Sequence, residues 1–344
     1  MGLLLALCAL PAVGPARPAA GSGDAVVAPS QRHLQLVAAA RDLADAIGGR
    51  VWPGWDAAGF EVLLVAGERE VLIGRAVRPP GFEAAAGASA AGDSAEGASA
   101  AGAAWRPRVF PETMLATMPV FGPPPTIVVG TPEAAGLGTA EWILVLLHEH
   151  FHQWQMRAPD YFAATEALDL AAGDTTGRWM LEYPFPYDEA GVAAGLDALS
   201  RRLAGLLRRP ADADLSAAAG DFWHRWERLV GALAPADARY LRFQIWQEGV
   251  ARYVELRLAE ELGGGGPAPP AVAALAAPEA FAAAARTARE RVFEELAAPD
   301  LAGRHRISFY SLGAGLALLL DRTDPGWKAR YERPRFALEP PAID

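Results

Sequence analysis

Three of the six histidines lie within five residues, His148-Glu149-His150-Phe151-His152, directly behind the apolar run Trp142-Ile143-Leu144-Val145-Leu146-Leu147. Neutral imidazole is a common metal ligand, and a carboxylate beside it can take a proton from metal-bound water. What the cluster can hold depends on the backbone beneath it. On a strand, His148, His150 and His152 share one face and form a three-histidine site. On a helix, His152 lies about 40° around the axis from His148, whereas His150 lies about 200° away. The helix is better supported: Thr139 can cap it, Glu141 suits its first turn, and the periodic stretch from 140 to 157 is too long for a typical strand. His148 and His152 then offer two imidazoles one turn apart with Glu149 beside them as base, and His150 is no ligand of the same metal. Zinc brings the pKa of its water toward neutrality, and the glutamate can pass the proton to a leaving amine. The competing reading is an exposed helix end whose histidines meet carbonyls and solvent. The apolar run argues against it, because it buries the turn that carries the histidines.

A catalytic zinc needs a third protein ligand and an open position for water, so a Glu, His or Asp should follow downstream. Glu248 is the best candidate. It stands in Trp246-Gln247-Glu248-Gly249-Val250-Ala251-Arg252-Tyr253-Val254-Glu255 on a predicted helix, where Gly249 and Ala251 are small enough to admit another helix closely. Glu255, seven residues on, shares its face. Taken alone, Glu248 also reads as the partner of Arg252 in an i,i+4 salt bridge on an exposed helix.

Together the two segments resemble the gluzincin metallopeptidases, especially the aminopeptidase N type: HEHFHQW is similar to their HExxHQW, and QEGVARYVE to their NEGFAxYxE. The resemblance covers these two helices, in the right order, and not the whole chain. It implies that His148, His152 and Glu248 ligate Zn2+, that Glu149 is the general base, and that Glu255 supports a ligand from outside the coordination shell. It also implies a downstream tyrosine that donates to the developing oxyanion. Tyr310, in Ser308-Phe309-Tyr310-Ser311-Leu312-Gly313 just before a predicted helix, is placed in that role, with His305 as a rival electrophile. The bland alternative for Tyr310 is a ring packed in the core with its hydroxyl at the edge.

Three departures bound the resemblance. Almost a hundred residues separate His152 from Glu248, far more than in aminopeptidase N relatives, so a helical insertion folds between the ligand helices. Gln247 replaces the usual Asn. No GxMEN motif is present to read a substrate's free amino terminus, so the resemblance reaches the zinc chemistry and not aminopeptidase specificity.

The elements that must position these residues follow from the pattern. The 344-residue chain is 21% charged and about half apolar, as a globular protein is, and its formal net charge of -10 with no basic run longer than a pair excludes a nucleic-acid surface. Residues 2 to 13 form an apolar run too short to span a bilayer and read as part of a signal peptide over 1–21, which implies an extracytoplasmic protein with no membrane span in the mature chain. Cys8, the only cysteine, lies inside it. Residues 31 to 48 read as an amphipathic helix, Phe60 to Ile73 as a hairpin around Gly67-Glu68, and Thr126 to Val129 as a strand. The Ala/Gly/Ser stretch 84–104 reads as a surface loop. Helices are expected over 140–157, 188–208, 215–233, 236–262, 279–296 and 311–321, with a linker from Gly263 to Pro270. Tyr183-Pro184-Phe185-Pro186-Tyr187 reads as a cleft wall or a plain connection; Trp223 and Trp226 belong in the core, with His224 partly exposed.

The expected fold is α+β and predominantly helical, with a small N-terminal sheet and one domain over 22–344. The expected function is hydrolysis of a peptide or protein substrate by zinc-activated water. The rivals are a zinc hydrolase of another acyl bond and a noncatalytic exported binding protein on a gluzincin-like scaffold.

Overall fold

Short, nearly continuous apolar runs build the sheet, buried on both faces. In the computed structural model, which describes residues 29–84, 103–210, 213–265, 269–333 and 335–338, β1 (Val62–Ala66) turns through Gly67 into β2 (Arg69–Ile73), and the positive φ of Gly67, 57°, suits that tight turn. With β3 (Glu83–Ala84), β4 (Ala104–Pro107), β5 (Leu115–Met118) and β6 (Thr126–Gly130) they form a six-stranded sheet in the order β3-β4-β2-β1-β6-β5. Only the β1–β6 pair is parallel, with Val62 opposite Ile127 and Leu64 opposite Val129. Side chains alternate faces. Val62, Leu64, Val71, Leu115, Ile127 and Val129 enter the large core shared with the helices, whereas Leu63, Val65, Leu72, Ala116, Met118 and Val128 join Phe82, Phe110 and Met114 in a smaller cluster on the other face.

The helices are α1 (Gln31–Val51), α2 (Pro132–Ala135), α3 (Thr139–Gln155), α4 (Tyr161–Glu166), α5 (Trp179–Glu182), α6 (Ala190–Leu207) and α7 (Ser216–Ala232). There follow α8 (Pro235–Gln244), α9 (Val250–Gly263), α10 (Pro270–Leu275), α11 (Pro278–Ala297), α12 (Leu301–Arg304), α13 (Ser308–Thr323) and α14 (Trp327–Arg330). The protein is thus α+β and predominantly helical, with a small mixed sheet. α3 packs on β5 and β6 and against α1, α9 and α11, so the segment with the histidines is enclosed. No helix among the described residues is long and apolar enough to cross a membrane.

Several boundaries differ from expectation. The stretch expected as one helix over 236–262 is α8 and α9 joined by a π-helical turn, Ile245–Gly249. Thr139 is not the cap of α3 but its first residue: Gly138 caps it, its N–H donating to the Glu141 carboxylate at 3.0 Å, while Thr139 accepts from Arg32 Nη2. α13 begins at Ser308, so Tyr310 lies inside a helix rather than before one. Ala84 and Ala104, the ends of the low-complexity stretch, are paired strand residues; residues 85–102, like Cys8 and the stretch 1–21 expected to be a signal peptide, lie outside the described residues. The linker is shorter than expected, since Gly263 ends α9 and Pro270 starts α10. Trp223 and Trp226 are buried, and His224 is exposed.

Candidate metal centre

α3 carries His148 and His152 one turn apart on the side that meets the π turn, and the π turn carries Glu248. Glu248 Oε2 stands 3.4 Å from His152 Nε2 and 3.8 Å from His148 Nε2. The three donor atoms lie within 4.8 Å of one another, and all three residues are buried. The two imidazoles meet edge to face, 4.9 Å between centroids. Burial opposes ionisation of Glu248, but His152 and His148 in their charged forms outweigh it and hold the carboxyl well below its ordinary value. Carboxylate and ring nitrogens therefore converge on one point from two helices.

Partners behind the rings set their tautomers. His148 Nδ1 lies 3.1 Å from Glu255 Oε2, and Arg252 Nη1 holds that carboxylate through both oxygens at 2.8 and 2.9 Å. Burial would raise the Glu255 pKa; Arg252 and then His148 outweigh it and lower it. An ionised carboxylate only accepts, so neutral His148, the form that a metal takes, carries its proton on Nδ1 and turns the lone pair of Nε2 to Glu248. For His152 the acceptor is Gln155 Oε1, 2.6 Å from Nδ1. Gln247 Nε2 also lies 3.0 Å from that nitrogen, and Gln247 Oε1 lies 2.8 Å from the Tyr161 hydroxyl.

Glu149 is buried beside the ligands. Thr117 Oγ1, on β5, lies 2.8 Å from Glu149 Oε2 and 2.8 Å from the Glu149 backbone carbonyl, which fixes the carboxylate against the sheet. His150 points elsewhere, its ring 4.7 Å from Phe60 and 5.5 Å from Trp55. Its nitrogens, near the backbone of Ala58 and Gly59, make no hydrogen bond of good geometry, and burial pushes its pKa down to about 4.

Tyr310 lies in the first turn of α13, buried, and its hydroxyl accepts from Arg306 Nη1 at 2.9 Å. The guanidiniums of Arg252 and Arg306 each lie 5.8 Å from its ring. Tyr310 is thereby joined through Arg252 and Glu255 to His148. Burial disfavours the charge of Arg306, but Tyr310 and Glu248 outweigh it and raise its pKa. His305 is exposed, adopts the left-handed φ of 51°, and stacks on Tyr187 at 4.7 Å. The segment Tyr183 to Tyr187 packs on this corner: Phe185 meets Phe309, and Tyr183 stacks on Tyr240.

The donor set suits a metal ion. Two imidazole lone pairs and one carboxylate oxygen face each other in a buried volume, and Glu248 Oε2 has no hydrogen-bond donor there, a costly arrangement that coordination would relieve. His148, His152 and Glu248 could thus hold a metal ion. No known protein family, curated protein or solved structure matches the chain. Thr117 and Gln155 escaped the sequence reading. Gln155 carried a signal, since it lies three residues after His152 on one helix face; Thr117 carried none, because its partner is set by how β5 meets α3.

Proposed function

We propose that the protein is a gluzincin-type zinc metallopeptidase that hydrolyses bonds in a peptide or protein substrate. The observation that carries this reading is the convergence of His148 Nε2, His152 Nε2 and Glu248 Oε2, with Glu149 next to the first of them in the chain. When bound, zinc supplies a Lewis acid that acidifies water and polarises a carbonyl. Two histidines and one carboxylate are the ligand set of several catalytic zinc sites. Glu149 takes the proton of the attacking water and delivers it to the leaving amine. Tyr310, whose oxygen accepts from Arg306, is the residue proposed to donate to the developing oxyanion.

The test has two readouts. Metal analysis of the purified protein is expected to give one zinc per chain, and digestion of a peptide library followed by mass spectrometry is expected to show cleavage. Glu149→Gln should keep the zinc and lose hydrolysis by about 10² to 10⁴-fold. Turnover retained in that variant would sink the mechanism. One observation favours a second reading: His148, Glu149 and His152 are at most 2% exposed and Glu248 6%, as befits a metal that braces two helices of a noncatalytic binding protein. Stoichiometric zinc with no cleavage of any library peptide or of a panel of other acyl substrates would select it.

A further inference from the structure

The π turn that carries Glu248 is closed by an i→i+5 bond, Val250 N–H to Ile245 O. Such a turn is wider than the α-helix on either side and releases carbonyls from the regular ladder. Two of them, Trp246 O and Gln247 O, are met by one side chain from the other ligand helix: Gln155 Nε2 lies 3.1 and 3.0 Å from them, and 2.6 Å from the Tyr331 hydroxyl. The Tyr331 hydroxyl is 2.6 Å from Trp246 O.

The hydrogens can be assigned in one consistent way. The Tyr331 O–H donates to Trp246 O, one Gln155 N–H donates to the Tyr331 oxygen, and the second donates to Gln247 O. Backbone carbonyls only accept. They therefore fix which end of the Gln155 amide faces the turn, and leave its Oε1 facing His152 Nδ1 at 2.6 Å. An acceptor there places the proton of neutral His152 on Nδ1 and the lone pair on Nε2, toward Glu248; the Gln247 amide, 3.0 Å from the same nitrogen, then turns its oxygen to that proton and its N–H to the Tyr161 oxygen. Reversing the amide would set its oxygen against two carbonyls and its N–H₂ against the imidazole N–H.

We propose that Gln155 is a positioning residue that couples the π turn to the tautomer of His152, so that Glu248 and His152 are presented to the metal together. The inference rests on the three-residue metal centre and not on peptide hydrolysis. A carboxylate at position 155 separates it from a simpler role. Glutamate accepts from Nδ1–H as well as glutamine does, but has no N–H for the turn. If position 155 serves only as the acceptor for His152, Gln155→Glu binds metal at least as tightly as the wild type. If it serves as the coupling, Gln155→Glu fails along with Gln155→Leu.

The experiment measures zinc affinity of the full chain by competition with a chromophoric chelator, and the d–d absorption of the Co2+-loaded protein. Both Gln155 variants are expected to bind zinc about 10- to 100-fold more weakly than wild type and to shift the Co2+ spectrum. Tyr331→Phe keeps the ring stacked on Trp246, 4.5 Å away, loses only the hydroxyl, and is expected to weaken zinc binding several-fold. It carries the test if the Gln155 variants do not fold, which circular dichroism checks. Wild-type affinity in Gln155→Glu, or in Tyr331→Phe, overturns the proposal. A wild-type chain that binds no zinc fails the metal centre itself, an outcome distinct from either.

Discussion

At the scale of single residues, Glu149 and His150 are neighbours on one helix with opposite surroundings. Glu149 meets a hydroxyl that holds one of its oxygens against the sheet. Removing that hydroxyl while keeping the shape, as in Thr117→Val, should lower kcat about tenfold with KM and zinc content unchanged, because a base loses efficiency when its carboxylate can turn. Thr117→Ser should restore it; a Ser variant as impaired as Val would show that packing, not the hydrogen bond, matters. His150 is an imidazole held neutral among Trp55 and Phe60. Its folded pKa of about 4 lies below the unfolded value of 6.5, so as pH falls the unfolded chain takes up the proton first. The stability tied to its neutral form is intact above 6.5 and lost between 6.5 and 4, about 3 kcal/mol in all. In metal-free protein, His150→Leu should flatten the decline in thermal midpoint over that range. Parallel pH profiles for the two proteins would exclude His150 as its cause.

At the scale of elements, the site depends on how closely α13 crosses the π turn. A Cβ on Gly313 would stand 2.6 Å from the Cα of Gly249 and 2.9 Å from Ile245 O, and one on Gly249 would stand 2.5 Å from the Cα of Gly313. Neither backbone can yield without moving the turn that bears Glu248. Gly313→Ala should therefore cost about 1–3 kcal/mol of stability in urea and weaken zinc binding, despite the better helix propensity of alanine. Gly205, on the exposed side of α6 with nothing within 4 Å of a built Cβ, is the control: Gly205→Ala should stabilise by up to about 1 kcal/mol. Equal effects at the two positions would remove close crossing as the reason for Gly313. These elements were unequally legible. The long helices announced themselves by apolar period, and the hairpin by Gly67. The π turn did not, since one inserted residue in Ile245–Gly249 cannot be told from a 3.6-residue period over so short a span. The first turn of α13 did not either: Ser308, Phe309 and Tyr310 are weak helix formers, and their helix is imposed by packing against the π turn and the aromatic corner at Phe185. β4 and β5, four residues each, gave too few alternations to read.

At the scale of the whole molecule, the donors of the metal centre were legible as two motifs, but their meeting was not, because it requires the helices between them to fold back. That separation has a thermodynamic consequence. His148 and His152 come from the helix after the sheet, and Glu248 from a turn reached only through α4 to α8, so the three donors converge in the folded chain and not in an unfolded one. A ligand that binds the folded state alone stabilises it by RT ln(1 + [L]/Kd), about 2.7 kcal/mol at free zinc a hundred times Kd. Urea unfolding with zinc buffered at that level, against protein in excess chelator, should show an increment of this size. Glu248→Gln leaves a weaker donor in place and should lose most of the increment at the same free zinc, while its metal-free stability is measured separately so that the loss of the buried ion pairs is not mistaken for loss of zinc. An increment unchanged in Glu248→Gln would mean that the two histidines bind zinc without the residue that joins the two halves of the site, and the His148–His152–Glu248 centre would be wrong at its third member.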